Sequence, residues 1–227
     1  MIKRFRDFIC KRVFVHWDWE RNIVDRFHKL YYESKERTWK NTFWLGKEAE
    51  KCPLDLWIYQ EIIFDIKPDL IIETGTHLGG SALFLASICD LINKGKIISI
   101  DIEKREDRPK HDRIVYLLGS STSREIVESV QSFKKQQDQI LVILDSDHKK
   151  KHVMAELKIY GQLVTRGSYL IVEDTNINGH PVDPRFGPGP MEAVKEFLEE
   201  NRDFEIDRGR EKYYLSFNPD GYLKRIR

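Results

Sequence analysis

The sequence predicts an α/β protein: a Rossmann-like, doubly wound, mostly parallel sheet with an antiparallel C-terminal edge, preceded by a helical extension. Three observations predict it. Short β-branched apolar runs alternate with helix-length segments after Pro68. Those runs are continuously apolar, the pattern of strands buried on both faces. Near the C-terminus the alternation stops, and Asn218-Pro219-Asp220-Gly221 gives a turn before another short apolar run.

Taken in order, residues 1–64 form the extension. All five tryptophans lie there: Trp17, Trp19, Trp39, Trp44 and Trp57. The segment reads as a helix around 20–36, a turn near Trp39–Gly46, and a helix from Leu54 to Ile66 that Pro53 starts. Its aromatics are expected to pack in a core or a subunit contact, with some covering a substrate pocket. At the very start, Ile2, Phe5, Phe8, Ile9 and Val13 fall on one side of a helix opposite lysines and arginines. Packing on the domain or on a partner subunit is the preferred reading, and a membrane-surface helix the secondary one. The stretch lacks a signal peptide's apolar region, and no run is long enough to span a bilayer.

Residues 65–227 form the second unit. Its strands are predicted at 70–72, 97–100, 114–117, 140–144 and 169–172, with helices near 79–93, 122–136, 150–165 and 191–200. Phe204–Asp207 and Tyr213–Phe217 are also read as strands.

Composition narrows the function. The 227 residues carry 38 basic and 37 acidic side chains, a net charge of +1, so a strongly basic nucleic-acid binder is excluded as the default. Three scattered cysteines with no C-x-x-C disfavour a disulfide scaffold or a cysteine zinc site and suit a reducing, cytoplasmic setting.

In an open parallel sheet, ligands bind beyond the carboxyl ends of the strands. The first strand ends in Glu73-Thr74-Gly75-Thr76-His77-Leu78-Gly79-Gly80-Ser81. Its glycines permit a sharp turn and close ligand approach, but their spacing is not the dinucleotide G-x-G-x-x-G. Glu73 would repel phosphate and suits a cationic or hydroxyl-bearing ligand. A tight strand-to-helix turn accounts for the glycines but not for Glu73. Asp101 closes the second strand, where an acid accepts hydrogen bonds from ribose hydroxyls. A solvated loop acid is the alternative. Gly119-Ser120-Ser121 closes the third, as a ribose or adenine contact or as a helix cap.

The fourth strand ends in Asp145-Ser146-Asp147-His148 and the fifth in Glu173-Asp174-Thr175-Asn176. Carboxylates converging on one sheet edge repel unless a cation joins them, and hard oxygens suit Mg²⁺, Mn²⁺ or Ca²⁺. Asp147 is explained by a cap or by solvent; Asp145, Glu173 and Asp174 are not. His148 is a ligand or a general base. The loop 179–190 holds four of the eight prolines and is placed as a lid or substrate wall.

These residues carry a resemblance. Trp44-Leu45-Gly46, Cys52-Pro53-Leu54-Asp55-Leu56-Trp57, Glu73-Thr74-Gly75-Thr76, Gly79-Gly80-Ser81, Asp145-Ser146-Asp147-His148 and Gly167–Asn176 resemble the cephalosporin hydroxylase family. That family has the class I S-adenosylmethionine-dependent methyltransferase fold and is similar to metal-dependent sugar and macrolide O-methyltransferases. The likeness runs from about residue 20 onward. It implies S-adenosylmethionine and Mg²⁺ as cofactors. It implies cofactor contacts at Glu73, Gly75, Thr76, Ser81, Asp101, Ser120 and Asp145. It implies metal ligands Asp145, Glu173 and Asp174, with His148 taking the proton from a hydroxylated small-molecule or carbohydrate acceptor. No convincing two-histidine-one-carboxylate iron site accompanies the family's name. A homo-oligomer is expected. The alternatives are a non-catalytic partner of another enzyme and a nicotinamide-dependent oxidoreductase, the latter disfavoured by the missing glycine fingerprint.

Overall fold

The computed structural model describes residues 19–227. The amphipathic stretch through Val13 lies outside them. Residues 19–33 are helical (α1), and a 3₁₀ turn at Thr38–Asn41 follows. Phe43–Trp44 (β1) and Lys47–Glu48 (β2) then pair as a hairpin. Leu45 and Gly46 both take positive φ, 48° and 78°, as a type I′ turn demands. The sequence reading expects only a turn here; strands two residues long give no periodicity to detect. Helix α2, Pro53–Ile66, has proline in its first turn.

The main sheet contains Leu70–Thr74 (β3), Lys96–Asp101 (β4), Ile114–Leu118 (β5), Ile140–Leu144 (β6), Tyr169–Val172 (β7), Phe204–Ile206 (β8) and Tyr222–Arg225 (β9). Their spatial order is β5-β4-β3-β6-β7-β9-β8. The first five are mutually parallel, while β9 runs antiparallel to both β7 and β8. The expected antiparallel edge is present. Tyr213–Phe217, however, is not a strand. Its backbone groups bond locally or to other elements instead of a strand: Leu215 N–H donates to Tyr213 O at 2.8 Å, and Phe217 N–H donates to Asp55 Oδ2 at 2.8 Å. Tyr214 also turns the chain at φ 66°.

Gly80–Leu91 (α3), Arg124–Phe133 (α4), Lys150–Tyr160 (α5) and Pro190–Glu200 (α6) complete the three layers. Strand alternation sorts the core. Ile71, Ile97, Leu141 and Ile143 pack with Ile62, Ile63 and Leu85 of α2 and α3. Leu70, Ile72, Ile98 and Val142 pack with Val130, Leu157 and Phe197 of α4, α5 and α6. Each such side chain contributes roughly 1.5–3 kcal/mol by leaving water. Sequence order reverses between β3 and β6, so their carboxyl ends open a crevice at the switch point. Among the described residues no helix is long and apolar enough to cross a membrane.

Candidate active site

A cleft of about 470 Å³ opens at that crevice. Of the residues expected at a site, Gly75, Thr76, Ser81, Asp101, Ser120, Asp145, His148 and Asp174 line it. Glu73 and Glu173 lie behind its wall, 0% and 4% exposed.

The glycine loop is built by close approach. Gly75, at φ +86°, leaves no room for a side chain beside the end of β6. Beneath it Thr76 hydroxyl donates to Ser99 Oγ at 2.7 Å, and Ser99 donates to Glu73 Oε2 at 2.6 Å. Burial pushes the Glu73 carboxyl up, while Lys51, Ser81 and Ser99 pull it back. Glu73 therefore braces the loop from below.

Asp101 ends β4 with its carboxylate held from three sides. His77 N–H donates to Oδ2 at 2.7 Å, Glu103 N–H to Oδ1 at 2.9 Å, and Arg108 Nη2 pairs with Oδ2 at 2.9 Å. Asp101 lines the cleft, and its Oδ1, with one bond from Glu103 N–H, keeps further acceptor capacity. Beyond Ser120, Ser121 meets His152 Nε2 at 3.2 Å, and Ser146 donates to buried Glu156 at 2.8 Å. The hydrogen bond to Glu156 raises the His152 pKa. His152 and Glu156 are absent from the sequence reading because they lie inside α5, away from any strand end.

At the other end of the cleft Asp145, His148 and Asp174 converge. Their ligand atoms lie within 4.8 Å of one another. His148 Nε2 is 3.1 Å from Asp174 Oδ2 and 3.9 Å from Asp145 Oδ1. Burial pushes the Asp174 carboxyl up and His148 opposes the shift. Glu173 is outside this trio. Its Oε2 accepts from Lys51 Nζ at 2.6 Å, and the same ammonium bonds Asp145 Oδ2. Burial would depress the Lys51 pKa, but Asp145, Glu173 and Glu73 override it and raise it. Burial and the Asp145 charge push Glu173 up, with Lys51 opposing.

Tyr32 and Trp39 also line the cleft, stacked with centroids 5.1 Å apart. Both pack against Phe217, which Asp55 of α2 fixes. A buried polar set at one end, an acidic trio at the other and an aromatic wall suit two ligands meeting in one cleft.

The family model described as Rhamnosyl O-methyltransferase/CmcI matches residues 36–226. The chain belongs to this family. The resemblance expected from the motifs is thereby shown, and the enzyme class with it: an S-adenosylmethionine-dependent O-methyltransferase. The nicotinamide-dependent and non-catalytic alternatives are set aside. A rhamnosyl O-methyltransferase of Mycobacterium leprae is 40% identical over 210 residues, covering 90% of this chain and 91% of that protein. One of Mycobacterium tuberculosis H37Rv is 39% identical, covering 89% and 85%. Among solved structures, an apo form of CmcI matches with TM-score 0.64 at 19% identity, over 83% of this chain and 77% of that one. MycE, a methyltransferase of mycinamycin biosynthesis solved with Mg, SAH and mycinamycin VI, matches with TM-score 0.56 at 16% identity, over 74% and 48%. At such identities these two structures establish the shared fold.

Proposed function

We propose that this member of the Rhamnosyl O-methyltransferase/CmcI family methylates a hydroxyl of a sugar, free or carried on a larger small molecule, using S-adenosylmethionine and Mg²⁺. The observation that carries the reading is the meeting of Asp145, His148 and Asp174 in one cleft with the glycine cradle of Gly75. The names of the relatives, which methylate rhamnosyl groups, support the sugar.

The residues fit the groups. Asp145 and Asp174 offer hard oxygens from the cleft wall, and Glu173, set behind Asp145 with its Oε2 on Lys51, keeps a buried Oε1 that no hydrogen bond satisfies. These three would hold the metal. Gly75, Thr76, Ser81, Asp101 and Ser120 would hold the methyl donor, with Asp101 accepting from ribose hydroxyls and Glu73 bracing the loop. Bound there, the metal would supply a Lewis acid that lowers the acceptor hydroxyl pKa, and the donor would supply the sulfonium methyl that the acceptor oxygen takes as the carbon–sulfur bond breaks.

The chain's own part is orientation and proton transfer. His148 accepts the hydroxyl proton, and Asp174, 3.1 Å from its Nε2, stabilises the imidazolium that results. Proximity within one cleft supplies roughly 7–11 kcal/mol of the barrier reduction. The described part of the N-terminal extension, residues 19–64, acts as the acceptor cover, supported by Tyr32 and Trp39 in the cleft wall.

Calorimetry with S-adenosylmethionine, with and without Mg²⁺, tests the reading, followed by methyl transfer to rhamnosides and other sugars. Micromolar cofactor binding and Mg²⁺-dependent methylation are expected. An absence of cofactor binding sinks it.

A further inference from the structure

Lys51 is 4% exposed, a depth at which a lysine is stable only when paired. Its partners are two of the three carboxylates read above as metal ligands: Asp145 Oδ2, and Glu173 Oε2 at 2.6 Å. The lysine sits just before α2, on the chain leaving the β1–β2 hairpin, and Lys51 N–H donates to Thr42 Oγ1 at 3.0 Å. The ammonium is therefore delivered by a fixed backbone.

A cation tethered on a ligand carboxylate does two things. It neutralises buried charge, so that Asp145, Glu173 and Asp174 can share one sheet edge. It also occupies oxygen lone pairs and repels any second cation drawn to them. A divalent ion bound to Asp145 and Glu173 thus faces a resident competitor.

Resting on the metal reading above, we propose that Lys51 is a tethered counter-cation that competes with the divalent metal for Asp145 and Glu173. It holds the acidic cluster folded at low metal and sets the metal affinity weak enough for free exchange. Turnover then follows the free metal concentration.

The test is Mn²⁺ calorimetry on the full chain at pH 8, without methyl donor or acceptor, alongside thermal melts. Lys51→Met is expected to bind Mn²⁺ at least tenfold more tightly than wild type. Its melting temperature should be lower without metal and rise further on adding Mn²⁺. Lys51→Arg keeps the charge and should stay within threefold of wild type. Equal or weaker Mn²⁺ binding by Lys51→Met overturns the competition and leaves the metal reading standing. Absence of Mn²⁺ binding by wild type removes the metal reading itself, and the competition with it. If Lys51→Met does not fold, the wild-type protein still decides. Lysine-¹⁵N NMR should show one protected ammonium, missing in Lys51→Arg, that shifts or loses protection on saturation with Mg²⁺. An unchanged signal at saturation refutes the competition.

Discussion

A Cβ at Gly75 would lie 1.8 Å from the backbone oxygen of Asp145, so the cradle after β3 and the acidic turn after β6 are in direct backbone contact. Gly75 N–H also donates to Ile100 O at 2.8 Å, and Asp145 N–H to Thr74 O at 3.0 Å, tying three strand ends together. Gly75→Ala must break this contact or leave its left-handed conformation, a cost of about 2 kcal/mol or more. Cofactor affinity should fall at least tenfold by calorimetry, with a lower melting temperature. Wild-type affinity in this variant would show that the contact does not shape the cradle.

Asp174→Asn removes a charge but keeps the shape. If Asp174 holds the metal, Mn²⁺ affinity should drop at least tenfold, while S-adenosylmethionine affinity stays within threefold. Asp145→Ala should behave likewise and abolish metal-dependent turnover. Loss of cofactor binding with metal binding intact would assign these carboxylates to the other ligand.

Removing the proton acceptor should act on kcat. His148→Ala is expected to lower kcat by roughly 10²–10⁴-fold. Raising the pH should partly restore its rate, because the acceptor hydroxyl then ionises without help. A variant with normal kcat would refute the role given to His148.

Much of this was legible in the sequence because strand ends are legible. Apolar runs located β3 to β7, and the polar residue after each fell at the sheet edge. Asp145, His148 and Asp174 were found this way. Lys51 was not: it lies in an irregular connection, and only tertiary folding brings it to β6 and β7. Arg108 is a similar case, reaching Asp101 from a loop whose charge density reads as solvated surface. Burial was equally invisible. Glu73 and Glu173 occupy the expected strand ends, yet pleating turns both carboxylates behind the cleft wall. The strand expected at Tyr213–Phe217 failed for the converse reason. Its apolar residues, Leu215 and Phe217, are buried under the N-terminal aromatics instead of in a sheet.

Those aromatics yield an acceptor prediction. Tyr32 and Trp39 line the cleft, and burial raises the Tyr32 pKa with the Asp174 charge raising it further. Trp39→Ala should raise KM for a sugar acceptor by about three- to tenfold, the worth of one stacking contact, with little change in cofactor affinity. Were KM unchanged, the aromatic wall would not be the acceptor's.

His28 links α1 to the β7 edge and provides a pH signature. Asn176 Nδ2 donates to its Nε2 at 2.9 Å, and the ring stacks on Phe217 at 5.8 Å. Burial lowers its pKa from 6.5 to about 4. The unfolded chain takes up this proton below pH 6.5, while the folded chain resists until about pH 4. The contribution is therefore full above pH 6.5 and is lost as pH falls, amounting to about 2 kcal/mol of lost stability by pH 5. Buried carboxylates with raised pKa values, such as Glu173 and Asp55, act in the opposite direction, so wild type alone is ambiguous. The comparison with His28→Gln isolates the histidine. Between pH 7.5 and pH 5, urea unfolding should show wild type losing about 2 kcal/mol more than the variant. Parallel pH curves would mean that His28 titrates normally and that α1 does not bury it in solution.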